Sequence, residues 1–144
     1  MSARRPTGDD GSAMVEFTYL AVLMMVPLVY VLLTVFQVQR AAFAVTEAAR
    51  QAGRAYATAD TVGAGLARAE AAAALALQDQ GLEADGPPDV TSTAGVSPDA
   101  EVTTTVLYRV SLPLFGGLFD GTVPPNIPVR ATHVEYVDRF KSSR

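Results

Sequence analysis

The chain has 144 residues, 49% of them hydrophobic and 18% charged, with a formal net charge of −4 and a mean hydropathy of +0.22. That length suits one small domain, the composition excludes a disordered chain, and an acidic balance argues against a nucleic-acid partner, which needs a basic stripe for phosphates. The absence of cysteine removes any disulfide framework, thiolate zinc site or thiol nucleophile, and the single histidine, His133, has no second imidazole for a two-histidine metal site.

The chain starts with a polar stretch, MSARRPTGDDG (residues 1–11), that carries Arg4, Arg5, Asp9 and Asp10. From Phe17 to Gln39 there follow 23 positions without a charge. Built as a helix at about 1.5 Å per residue, this stretch runs roughly 35 Å, enough to cross a hydrocarbon core of about 30 Å. The competing reading is a buried core helix, but the rest of the chain is too small to wrap it. Pro27 falls inside the span, where it removes one backbone hydrogen bond and invites a kink. Arg4 and Arg5 favour a cytoplasmic N-terminus and an extracytoplasmic remainder, against which Arg40, Arg50 and Arg54 stand on the far side. A cleaved secretory signal is an alternative, with Ala42-Phe43-Ala44 as its cleavage site. Against it, the apolar run exceeds the usual length of about 7–15 residues, and Asp9, Asp10 and Glu16 crowd the region before it.

The segment GSAMVEF (residues 11–17) sets a glycine before four small or apolar residues and a Glu-Phe pair that opens the apolar helix. This pattern resembles the processing site of type IV-like prepilins. Together with VEFTYLAVLMMVPLVYVLLTVFQVQRAAFAVTEAARQAGRAYA it resembles the N-terminal segment of TadE-like pilins, minor pilins or pseudopilins of Tad (Flp-type) pilus systems. The likeness rests on Gly11, Glu16, Phe17, Pro27, Ala48-Ala49-Arg50 and Gly53-Arg54, and covers roughly residues 9–57, about a third of the chain. Flp-type major pilins often carry tyrosine after the glutamate, where this chain has Phe17, and are usually much shorter, so length favours the TadE-like branch. The resemblance implies cleavage by a prepilin peptidase between Gly11 and Ser12, with the apolar helix retained. It also implies partners: major and minor pilins, an assembly platform in the inner or cytoplasmic membrane, and membrane lipid.

Glu16 lies at the start of the span, near the interface, where a charge costs little; at the bilayer centre it would cost at least about 2.5–3.5 kcal/mol. Residue by residue it reads equally well as a harmless interfacial charge. Among packed apolar helices of a pilus, the carboxylate would need pairing, and the new amine at Ser12 is its natural partner. Residues 40–57 are alanine-rich and helix-favouring, so one helix is expected from about Ser12 to Ala57. Phe43, Ala44, Ala48 and Ala55 suit close helix packing. Glu47 and Arg50 can pair at i,i+3, whereas Arg50 and Arg54 repel at i,i+4. The two arginines read either as a solvated face or as contacts for an acidic partner or lipid headgroups.

Thr58-Ala59-Asp60-Thr61 supplies caps for a second helix, whose stripe Val62, Leu66, Ala69, Ala73 and Leu77 runs to Gly81 and the Asp85–Pro88 loop. This helix is expected to pack on the second half of the first. Residues 101–112 alternate as a strand, with Val102, Thr104, Val106, Tyr108, Val110 and Leu112 on one face. Residues 127–137 read as a second strand whose apolar phase shifts between Ala131 and Val134, which predicts a bulge. Pro128 confines its start to an edge. Residues 89–94 offer a short third strand. Between the long strands, residues 113–125 (PLFGGLFDGTVPP) form an apolar loop, and Phe115 and Phe119 read either as core or as contacts for a neighbouring subunit or membrane.

No phosphate loop, nucleophile elbow or metalloprotease helix is present in the sequence. His133 reads as an exposed or cross-strand residue in preference to a general base. The expectation is a non-enzymatic α+β protein without metal or cofactor. Its parts are a leader (1–11), a transmembrane or assembly helix (12–39), a helical extension (40–57) and an extracytoplasmic head with a two- to three-stranded antiparallel sheet (58–144). The function expected from the resemblance is that of a minor pilin, at the cell surface or in a pilus after assembly. The alternative is a signal-anchored single-pass protein presenting a small binding domain. Between residues 60 and 101 Arg68 faces eight acids, so the net acidity of the chain resides in the second helix and the loops beside it.

Overall fold

The computed structural model describes residues 10–112 and 126–141, with side chains described from Ser12 onward. Two helices, α1 (Asp10–Ala57) and α2 (Val62–Gln78), precede three strands, β1 (Asp89–Ser92), β2 (Glu101–Ser111) and β3 (Asn126–Tyr136). The strands form one antiparallel sheet in the order β1-β2-β3. The chain divides into two units, residues 1–36 and 37–144. The second unit therefore takes in the alanine-rich half of α1, which the sequence assigns to a separate extension.

In that second unit α1 is amphipathic. Ala41, Ala44, Val45, Ala48, Ala49, Ala52, Tyr56 and Ala57 are buried, at the spacings of three and four that trace one face of a helix. They join Ala69, Ala73, Ala76 and Leu77 of α2, and Val102, Val106 and Val110 of β2, in one core cluster. Phe43 departs from the packing expected of it and is 76% exposed, because it falls on the opposite face from Ala44 and Ala48.

Thr61 caps α2, its hydroxyl accepting the Ala64 N–H at 3.2 Å. The expected stripe of α2 holds for Ala69, Ala73 and Leu77 but not for its first turns. Val62 and Leu66 are each 46% exposed, and Gly65 is the buried residue there. A Cβ on Gly65 would stand 2.9 Å from a ring carbon of buried Tyr56, so the missing side chain is what admits the ring. At its other end, Gly81 adopts φ +67, the left-handed conformation that favours glycine, as the chain leaves the helix.

The long strands pair without interruption, from Glu101 opposite Tyr136 to Ser111 opposite Asn126. The bulge expected between Ala131 and Val134 is therefore absent. β3 keeps strict alternation, so that Ile127, Val129, Ala131, His133 and Glu135 occupy the more buried positions while Val134 and Tyr136 face outward. Polar contacts, described below, stabilise two of the inward positions where apolar residues were expected. Pro128 sits on an edge strand, as its missing N–H requires. On the outer face, the hydroxyls of Thr105 and Thr132 lie 3.0 Å apart across the strands.

After β3 the chain turns back toward the end of α1. Lys141 donates to the carbonyl oxygens of Ala57 (3.0 Å) and Ala59, where the helix leaves acceptors unpaired and its dipole is negative. The Val137 N–H donates to the Ala100 carbonyl at 2.9 Å and the Asp99 N–H to the Val137 carbonyl at 3.1 Å, so the segment beyond β3 is fixed from two sides.

Two glycines of α2 are expected to respond oppositely to alanine. Gly65→Ala forces Tyr56 to move and should destabilise the full chain in detergent by about 1–2 kcal/mol despite alanine's better helix propensity. Gly63, with nothing within 4 Å of an added Cβ, should gain about 0.5–1 kcal/mol from the same change. Urea denaturation of both variants measures the pair, and equal shifts in one direction would contradict the packing of Tyr56 on Gly65.

Candidate functional site

The first candidate is the surface of α1 before the head. Residues 12–29 are exposed on every side, and Met14, Phe17, Leu23, Met24 and Leu28 each present most of their apolar surface. Among the described residues one helix is long and apolar enough to cross a membrane, with a window of mean hydropathy 2.4 near the N-terminus. Two of the hydroxyls within it turn back on the helix itself. Thr18 and Thr34 donate to the carbonyl oxygens of Met14 (2.8 Å) and Tyr30 (2.9 Å), which is how a hydroxyl is satisfied where no water reaches it.

Helical structure already begins at Asp10, so Gly11 and Ser12 lie in the first turn. Ser12 and Glu16 are one helical turn apart and share a face. Glu16 borders a shallow groove along the helix together with Tyr19, Leu20, Leu23 and Pro27. Pro27 has no N–H to offer the Leu23 carbonyl, about two turns beyond the carboxylate. Phe17 is exposed next to it. The segment thus carries one carboxylate, with the Tyr19 phenol on the same groove, on a largely apolar surface.

The second candidate is the pair Arg50 and Arg54. Arg50 lies 3.9 Å from Glu47 in the expected i,i+3 arrangement, and the Glu47 carboxylate also accepts from the Gln51 side chain at 2.6 Å. Arg54 finds an acid on β3, its Nε standing 3.8 Å from Glu135 Oε2. Both arginines are therefore paired to acids of this chain, through exposed contacts of the kind worth less than about 1 kcal/mol each.

Glu135 also receives His133, whose Nε2 lies 3.5 Å from the same carboxylate oxygen. The strand's unbroken phase brings both side chains to the face where Gly53 of α1 approaches the sheet. A Cβ on Gly53 would meet Thr104 Oγ1 at 3.4 Å, His133 Cδ2 at 3.5 Å and Glu135 Cβ at 3.6 Å. Here β2 buries Thr104 completely, and its hydroxyl has no hydrogen-bond partner among the described residues. His133 is thus a half-buried cross-strand residue, in a setting that is polar and tightly packed.

Sequence reasoning singled out Arg54 but missed Glu135 and Lys141. The signal for Glu135 was its spacing of two from His133, which puts both on one face of an uninterrupted strand. Asp85 was read only as loop, yet its Oδ2 accepts the Arg109 backbone N–H at 2.7 Å and anchors the loop before β1 to β2. Phe115 and Phe119 lie outside the described residues. Among the described residues, no group of three or more histidine and acidic side chains is placed to hold a metal ion. Comparison with protein-family models, with curated proteins and with solved structures finds no match for this chain.

Thr104 offers a test of the close approach at Gly53. Thr104→Val removes a buried hydroxyl that gains nothing in the folded state and should stabilise the full chain by about 1 kcal/mol in urea denaturation. A loss of stability would show that the hydroxyl is bonded in solution.

Proposed function

We propose that the protein is a minor pilin or pseudopilin of the TadE-like kind, processed between Gly11 and Ser12 and packed into a Tad-type pilus through α1. The observation that carries this reading is the helix beyond Gly11. Its apolar side chains are exposed all round over residues 12–29, and Glu16 is the one charged side chain there. A surface of that kind needs lipid before assembly and other apolar helices after it. The motif GSAMVEF adds the cleavage position, and the small α+β unit that follows is of a size to be carried outside the membrane on such a helix.

In this reading the N-terminus is cytoplasmic, the head is extracytoplasmic, and the chain is the substrate of a prepilin peptidase. The other partners are major and minor pilins, the assembly platform of the inner membrane and membrane lipid. No catalytic, metal or cofactor role is assigned to any residue. Cleavage creates an ammonium group at Ser12, one turn from Glu16. As helices of neighbouring subunits exclude lipid, that carboxylate becomes buried and is tolerated only when paired, within the subunit or between subunits. The runner-up is a signal-anchored single-pass protein with a small binding head, in which α1 stays in the bilayer uncut.

Mass spectrometry of membrane-extracted protein distinguishes these. A mature N-terminus at Ser12 is expected, and its loss in Gly11→Val. An intact or methionine-trimmed terminus in the unaltered protein supports the anchor instead, and a start after Ala44 supports a secreted form. Glu16→Ala should leave cleavage largely intact and abolish incorporation into pili. Normal incorporation of that variant would sink the pairing argument.

A further inference from the structure

Where α1 ends and β3 ends, the head has an open groove of about 700 Å³, bordered by Arg54, Ala57, Asp60, Glu135, Tyr136 and Phe140. Two aromatic rings stand on its rim in water, Tyr136 at 62% and Phe140 at 86% exposure. Each cation of this region has a partner within the chain. The Arg54 guanidinium is held by Glu135 at 3.8 Å, the Lys141 ammonium by the carbonyls of Ala57 and Ala59, and nearby Arg139 by Asp99 at 3.6 Å. Two acids beside them are less engaged. Asp60 has no ion pair or hydrogen bond among the described residues, and Asp138 takes only the Phe140 N–H, on Oδ1 at 2.9 Å.

The groove therefore combines spare carboxylate oxygens, two accessible π faces and cations that each already have a partner in the chain. We propose that it is a docking site for an arginine side chain of a protein partner, with the guanidinium taken by Asp60 and Asp138 against the rings of Tyr136 and Phe140. A guanidinium satisfies both halves of this surface at once. Its planar fork matches a carboxylate in bidentate fashion, and its face stacks on an aromatic ring where the ring quadrupole is negative. An anionic ligand would meet the unpaired Asp60 and Asp138 carboxylates, whereas the nearby cations already each have a partner in the chain. The site lies wholly within the second unit and does not rest on the pilin reading.

The test uses the isotope-labelled full chain in phosphatidylcholine nanodiscs, titrated with acetyl-Gly-Arg-Gly-amide and followed by NMR. Saturable shifts confined to residues 54–60 and 135–141 are expected, with none from the corresponding Gly-Glu-Gly peptide. Asp60→Asn and Phe140→Ser, both at exposed positions, should weaken binding by about three- to tenfold. Glu70→Gln, which removes an exposed acid of α2, should leave it unchanged. Equal weakening by Glu70→Gln would reduce the effect to diffuse acidity and overturn the site. Absence of saturable shifts would overturn it too, as would maltose perturbing these residues while the arginine peptide does not.

Discussion

The head depends on how closely the backbone of α1 can come to the sheet. At the sheet the approach is set by Gly53, and the rest of the buried face of α1 is built from the small side chains Ala41, Ala44, Ala48, Ala49 and Ala52. At Gly53 the space between helix and strands is one van der Waals contact deep, and Thr104, His133 and Glu135 fill what remains. A larger residue there would lift the helix off β2 and unseat Val102 and Val106, because interiors packed this closely do not deform smoothly. The same logic governs Gly65, where α2 admits the Tyr56 ring. Alanine loses almost no side-chain entropy on burial, but it also removes little apolar surface from water. The largest fully buried side chains are only Leu77, Val45, Val102, Val137 and Thr104. Such a core obtains its precision from proximity more than from hydrophobic bulk.

One helix thus serves two surroundings. Its early part presents bulky apolar side chains in every direction, whereas its later part presents alanine to the core and charge to water. The change of residue type along a single element is what makes a 144-residue chain rich in hydrophobic residues while its soluble core stays small. The early part, exposed on all sides, has no preferred apolar face, and its surface is marked by a few polar groups, the Glu16 carboxylate and the Tyr19 phenol among them.

Elements governed by their own side-chain periodicity were legible from the sequence. β2 shows the alternation of Val102, Thr104, Val106 and Val110 directly, and both the long first helix and the Thr61 cap follow from local rules. Readings failed where a partner distant in sequence decides the outcome. The apparent slip in β3 assumes that inward positions are apolar; His133 and Glu135 occupy them because Arg54 lies opposite, some 80 residues earlier. On α2, the choice of Gly65 over Leu66 for the buried face follows from the Tyr56 ring and leaves no trace in the apolar stripe itself. The candidate assembly residues Gly11, Ser12 and Glu16 stood out because a short motif adjoins a long span, whereas the Tyr136–Phe140 groove exists only once β3 and the end of α1 are brought together.

The Lys141 contacts also set a timetable. Its ammonium binds carbonyls 82 and 84 residues upstream, and at about 5–20 residues per second a ribosome needs roughly 4–17 s to cover that interval. Throughout it, the far end of α1 is already synthesised but its last carbonyls have only water or transient partners. The apolar early part of the helix, which precedes these carbonyls in the chain, is by then already synthesised. Closure of the head by Lys141 is thus a late event in synthesis, and the end of α1 stays open until nearly the whole chain has been made.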